Sequence, residues 1–212
     1  MAAAPSIDRV VTAGTYTVEG DARDVENNVW LLGDDEVVLV VDAAHDAAAI
    51  QRACAGRRVG EIACTHGHRD HIGVAPQLSE AVGAAVLLHP ADRPLWDMTH
   101  EEIPPDGDLV EGEVLRVAHL EVRVLGTPGH SPGSVCLYVP ALEAVFTGDT
   151  LFAGGPRDTG RSLAVIPTLI RSIHDKLASL PPQTRVLPGH GDETTIGKEA
   201  PNLAEFRAGG QP

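Results

Sequence analysis

Thr65-His66-Gly67-His68-Arg69-Asp70-His71 sets four metal-binding side chains, three imidazoles and one carboxylate, within six residues. No other stretch constrains the fold as much. Neutral imidazole and carboxylate are ligands of zinc and its first-row neighbours. Groups this polar are costly to bury without a partner. The preceding run, Val59 to Cys64, is short and apolar, the pattern of a buried strand. Gly67 and Arg69 break strand alternation, so the spacing predicts a loop at a strand end. From a loop, His66, His68, Asp70 and His71 can point toward two centres, which a regular helix or strand would not allow.

Three later segments share one form: a strand-like run, then a turn with a ligand-type residue beside glycine. They are Gly126-Thr-Pro-Gly-His130-Ser-Pro-Gly-Ser134, Phe146-Thr-Gly-Asp149-Thr-Leu-Phe152 and Leu187-Pro-Gly-His190-Gly-Asp192. Glycine allows a sharp turn and close approach of another group. Each segment alone reads equally as an ordinary turn. With the first loop they supply five His and two Asp, enough for two metal ions sharing a ligand.

Around these segments strands and helices alternate. Asn28–Leu32 and Glu36–Asp42 form a hairpin across Gly33-Asp34-Asp35, and Asp46 caps a helix over Ala47–Cys54. Val74–Val82 is a helix and Ala85–Leu88 a short strand, whereas residues 97–113 read as an acidic loop. Strands follow at Val114–Val117, Leu120–Gly126, Val135–Val139, Ala144–Thr147 and Arg185–Leu187, with helices at Pro167–Leu180 and Ala200–Arg207. The fold class is α/β: two sheets covered by helices, one domain over residues 1–212.

The formal net charge of −14 disfavours nucleic acid and anionic membrane as partners, since phosphates are repelled. No apolar run reaches membrane-spanning length. Cys54, Cys64 and Cys136 have neither disulfide-framework nor zinc-thiolate spacing, which fits a reducing cytoplasm. His45, His89, His100, His119 and His174 lie off the motifs and read as surface residues. Asp42, Thr65 and Thr127 are candidates to hold the ligand loops from behind, and an ordinary turn residue is an equal reading of Asp42.

The order Thr-His-x-His-x-Asp-His, then His130, Asp149 and His190, resembles the metallo-β-lactamase fold superfamily. Within it the chain is most similar to glyoxalase II and its short relatives, through Phe146–Phe152 and Gly189-His-Gly-Asp-Glu-Thr-Thr-Ile-Gly197. The resemblance runs from about Asn28 to Glu199. It implies an αββα sandwich of two mixed sheets flanked by helices. It implies that His66, His68 and His130 bind one metal, that Asp70, His71 and His190 bind a second, and that Asp149 bridges them. The cofactors expected are two divalent ions, zinc first, with iron or manganese as alternatives.

The activity implied is hydrolysis of a small-molecule thioester, an S-acyl ester of glutathione or mycothiol type. A hydroxide bridging the metals attacks, and Asp70 orients it and receives its proton. The β-lactamases of the superfamily carry Cys or Ser at the position of Asp149, so antibiotic hydrolysis fits poorly. The helical C-terminal domain with which glyoxalase II grips glutathione has no counterpart among Gly191–Pro212. Loops 97–113 and 152–162 must then bind substrate, with Arg157 or Arg161 pairing with a carboxylate. Trp96 and Phe152 line the mouth or belong to the core. Two rival classes stay open, a persulfide dioxygenase-like oxidoreductase with one iron on His66, His130 and Asp149 and a non-catalytic metal-binding or interaction module, and lactone hydrolysis is a further neighbour within the hydrolase class. Monomer and homodimer are both compatible with the sequence.

Overall fold

The computed structural model describes residues 4–18, 21–156 and 165–207. Strands β1 (Ser6–Val18), β2 (Asp21–Gly33) and β3 (Val37–Val41) lead into helix α1 (Ala47–Ala53) and strand β4 (Arg58–Ala63). One helical turn, α2 (Arg69–Ile72), precedes α3 (Ala75–Val82), β5 (Ala85–Leu88), α4 (Arg93–Asp97) and β6 (Gly107–Asp108). The second half runs β7 (Val114–Val117), β8 (Leu120–Gly126), β9 (Val135–Val139), β10 (Ala144–Gly148) and α5 (Ile166–Ser172). It closes with β11 (Arg185–Pro188), β12 (Thr194–Thr195) and α6 (Ile196–Arg207).

The strands form two six-stranded mixed sheets, ordered β1-β2-β3-β4-β5-β6 and β12-β11-β10-β9-β8-β7. In the first, β1 to β3 pair antiparallel and β3 to β6 parallel. In the second, β10 and β11 are parallel and the remaining pairs antiparallel.

Side-chain alternation turns the sheets into layers. On β2, Trp30 and Leu32 face the second sheet, while Val29 and Leu31 face the helices. On β3, Leu39 and Val41 face inward, and Val38 and Val40 outward. The second sheet mirrors this, with Val135, Leu137, Val139 and Phe146 inward and Cys136 and Val145 outward. The apolar residues thus separate into three clusters. One lies beneath α1 and α3 (Ile50, Leu78), one between the sheets, and one beneath α5 and α6 (Leu169, Ile173, Ile196). The architecture is α/β/β/α, the sandwich that the family resemblance implies.

Three local expectations need correction. Asp70 and His71 do not lie on a loop: they sit in the helical turn α2, and only His66 and His68 precede it. The acidic stretch 97–113 contributes an edge strand, β6, and follows a short helix that buries Trp96 completely. Trp96 is therefore core, as is Phe152, which is 3% exposed. The long ribbon β1–β2, whose first strand has no continuous apolar run to mark it, forms one edge of the first sheet. Among the described residues no helix is long and apolar enough to cross a membrane.

Candidate metal centre

Every expected ligand segment leaves the end of a strand along one edge of the sandwich. His66 follows β4, His130 follows β8, Asp149 follows β10 and His190 follows β11. Backbone hydrogen bonds hold these ends together: Asp42 N donates to Ala63 O at 3.0 Å, Val135 N to Thr65 O at 2.9 Å, and Asn28 N to Gly189 O at 2.7 Å.

The seven residues come together. The ligating atoms of His66, His68 and His130 all lie within 4.8 Å of one another, and those of Asp70, His71 and His190 likewise. Asp149 lies between the two groups. Its Oδ2 is 3.5 Å from His130 Nε2 and 3.5 Å from His190 Nε2, and its Oδ1 is 3.4 Å from His71 Nε2. His68 Nδ1 and His130 Nε2 stand 2.9 Å apart, and His71 Nε2 and His190 Nε2 3.2 Å apart.

Hydrogen bonds behind the rings set which nitrogen faces the centre. His71 Nδ1 lies 2.8 Å from Asp42 Oδ2, so the proton on Nδ1 faces the carboxylate and Nε2 faces inward. His190 Nδ1 donates to the Glu26 carbonyl at 2.7 Å, again leaving Nε2 inward. The Thr65 hydroxyl donates to Asp42 Oδ2 at 3.0 Å, so its oxygen accepts from His66 Nδ1 at 3.1 Å. That leaves His66 Nε2 as a lone-pair acceptor, fully buried and with no hydrogen-bond partner. An orphaned buried nitrogen aimed at four other ligand-type atoms is costly in a metal-free fold, and its lone pair is what a cation requires. The residues therefore fit divalent metal ions.

The electrostatics match. Burial, reinforced by His71, His130 and His68, holds His66 well below the usual imidazole range, so its ring is neutral. Burial also pulls His71 down, but Asp149, Asp42 and Asp70 overcome it and raise its proton affinity well above normal. At His190 the same opposition, burial against Asp149 and Asp70, ends at about 9. Asp149 resists burial through His71 and His190 and stays ionised, held well below the usual carboxylate range. The buried carboxylates of Asp42, Asp70 and Asp149 stand around this cluster and favour a cation between the rings.

Asp42 holds the ligand loops as the sequence allowed. Its Oδ1 accepts from Thr65 N at 2.8 Å, and it adopts a left-handed φ of 62° to do so. Thr127 is one step further away, bonded to Thr150 and Ser134. Arg157 and Arg161 lie outside the described residues. His45 and His100 are half-buried and hydrogen-bonded rather than freely exposed. His45 Nε2 donates to Asn27 Oδ1 at 2.7 Å, and His100 lies 2.9 Å from Ile72 O and packs on Trp96.

Two residues escape the sequence reading. Asn27 is fully buried and directs Nδ2 at both His71 Nε2 and His190 Nε2, 3.3 Å from each. Its only sequence signal is a polar amide entering an apolar strand. Asp92 is also fully buried. Its carboxylate accepts from Gly67 N at 2.7 Å, from Ser131 Oγ at 2.6 Å and from Gly133 N at 2.6 Å. It thereby ties the His66–His68 loop to the His130 loop, and no local motif announces it.

The metallo-β-lactamase superfamily model matches residues 22–190, spanning all seven residues of the centre. The chain belongs to the metallo-β-lactamase superfamily. The superfamily and the His/Asp cluster together indicate a metal-dependent hydrolase. The chain is 40% identical over 147 residues to a hydroxyacylglutathione hydrolase of Jannaschia sp. (strain CCS1), covering 68% of this chain and 54% of that protein. Among solved structures, TTHA1623 in a di-iron-bound form aligns at 33% identity and a TM-score of 0.73, covering 89% of this chain and 96% of that one. The BLEG-1 B3 metallo-β-lactamase aligns at 28% identity and a TM-score of 0.75, covering 91% and 97%.

Proposed function

We propose that this superfamily member is a thioesterase that cleaves S-acyl esters of a low-molecular-weight thiol, of glutathione or mycothiol type, at a centre of two divalent ions. One observation carries the reading: Asp149 reaches both triads at 3.4–3.5 Å, so a single carboxylate serves two ligand groups. His66, His68 and His130 would hold one ion, Asp70, His71 and His190 the other, with zinc as the first choice. Bound there, such ions supply Lewis acidity and lower the pKa of water toward neutrality.

The chain's own residues do the rest. His66, His68 and His130 face the acyl carbonyl, and Asp70, His71 and His190 face the departing sulfur. Asp70 Oδ2, 3.3 Å from His190 Nε2, orients the attacking water and takes its proton. Asp42, Thr65 and the Glu26 carbonyl keep the imidazole tautomers fixed through the reaction. No cysteine serves as nucleophile: Cys64 and Cys136 are buried, and burial pushes their thiols up, Cys136 to about 11. Free cysteines fit a reducing cytoplasm. The similarity to a hydroxyacylglutathione hydrolase favours the thioester over other electrophiles.

The test is thiol release by the metal-loaded protein from S-acyl glutathione and S-acyl mycothiol, beside a chromogenic β-lactam and a simple lactone. Thiol release at enzymatic rates with two metal ions per chain is expected. Asp149→Ala should lose at least one ion and about 10²-fold or more in rate, since Asp149 belongs to both groups. Inactivity on both thioesters, or an Asp149→Ala protein with full metal content and turnover, would reject the reading. One iron per chain would favour oxygen chemistry instead.

A further inference from the structure

Beside the centre, between strand β1 and helix α2, lies a cavity of about 250 Å³. Gly14, Thr15, His45, Arg69, Asp70 and Val74 are among the residues that line it. Asp70 forms part of both this wall and the second triad, so a ligand in the cavity abuts the triad to which the thioesterase reading assigns the departing sulfur. That volume leaves room for a small carrier fragment.

The chemistry of the walls selects the ligand. His45 presents a fixed, uncharged ring. Its Nε2 is committed to Asn27 at 2.7 Å, and Gly14 packs so tightly on the other side that a Cβ there would fall 2.2 Å from Nδ1. Burial lowers the proton affinity of His45, which keeps the ring neutral. The Asp70 carboxylate is turned toward His190 and His71. That leaves Arg69 as the cation of the cavity. Its side chain is exposed, and no carboxylate among the described residues pairs with it. A guanidinium with no carboxylate partner among the described residues, beside a reaction centre in a chain of net charge −14, is placed to receive an anion in bidentate fashion.

We propose that this cavity is the subsite for the thiol carrier, and that Arg69 pairs there with a carboxylate borne by that carrier. The inference rests on the thioesterase reading and specifies its substrate: a thiol with a carboxylate a few bonds from sulfur. Ala13, Gly14 and Thr15 of β1 and Val74 also line the cavity.

The test is calorimetric titration of the metal-loaded protein with S-propyl-N-acetylcysteine and with its amide. Both are thioethers, so neither is turned over. Wild type should bind the acid about tenfold more tightly than the amide, and Arg69→Met, which keeps the apolar stem, should bind the two alike. Arg69→Lys should retain part of the preference. Equal binding of acid and amide by wild type, or a preference that survives Arg69→Met, would overturn the proposal. Failure of the thioesterase reading shows separately, as absent thiol release from both S-acyl substrates.

Discussion

At Asp92 two carboxylate oxygens serve three donors on two loops, with the side chain wholly buried. Removing the carboxylate strands the Gly67 and Gly133 amides and leaves the Ser131 hydroxyl with only Ser134 Oγ, 2.7 Å away. Each buried unsatisfied donor costs about 1–3 kcal/mol. Asp92→Ala should therefore lower stability by about 2–5 kcal/mol. It should also loosen the triad of His66, His68 and His130 more than that of Asp70, His71 and His190. Two-step zinc titration against a competing chelator checks this: one affinity should fall by about 10–100-fold, as is usual when a group behind a ligand is lost, while the other holds. Equal weakening of both steps would make Asp92 merely a folding residue. Residue identity was legible for the seven ligand-type side chains, because imidazole and carboxylate at short spacing have few other uses. Asp92 was not legible, because its three partners stand 25, 39 and 41 residues away.

At the scale of the element, the strand ends are what place the ligands, and glycine is what lets them crowd. Gly148 closes β10 with φ +48°, and a Cβ there would lie 2.4 Å from Thr65 Oγ1. That hydroxyl links Asp42 to His66 Nδ1. Gly148→Ala pairs an unfavourable backbone conformation with displacement of the group that fixes the His66 tautomer. We expect a loss of about 1–3 kcal/mol in urea unfolding, with weaker zinc binding. Gly148→Ala together with Thr65→Ser would not relieve the clash, since the clashing oxygen remains; Thr65→Ala removes the oxygen but leaves its Cβ 2.8 Å away and the left-handed φ in place, so it should recover only part of the stability and none of the metal affinity. Strand periodicity on β2, β3, β9 and β10 was readable because alternation sorts residues to opposite faces. The turn α2 was not: four residues with glycines on both sides carry no helical period, and only packing against α4 and β1 makes the turn.

For the molecule as a whole, the centre stitches the two sheets at one edge. His66, His68, Asp70 and His71 come from the first sheet's connections, and His130, Asp149 and His190 from the second's. Cations binding the folded state alone stabilise it by mass action, by about 4 kcal/mol when free metal exceeds Kd by 1,000-fold. For a chain of 212 residues this is roughly 8–16 °C in Tm. Chelation should lower Tm by that order and re-addition of zinc should restore it; an unchanged Tm would mean that the centre binds no ion tightly. The same stitching puts the Asp149 carboxylate among three imidazoles, an arrangement no segment contains.

The sequence by itself determined the ligand types, their attachment to strand ends and the alternation of strands and helices that makes two sheets covered by helices. All three depend on spacings of a few residues, which local chemistry and period-two burial dictate. Only the tertiary structure decided which nitrogen of each imidazole faces inward, that Asn27 and Asp92 support the centre, and that Arg69 borders a cavity beside Asp70. Those facts rest on contacts between segments up to 164 residues apart, such as His190 Nδ1 on the Glu26 carbonyl. Such contacts exist only once the sheets have packed face to face.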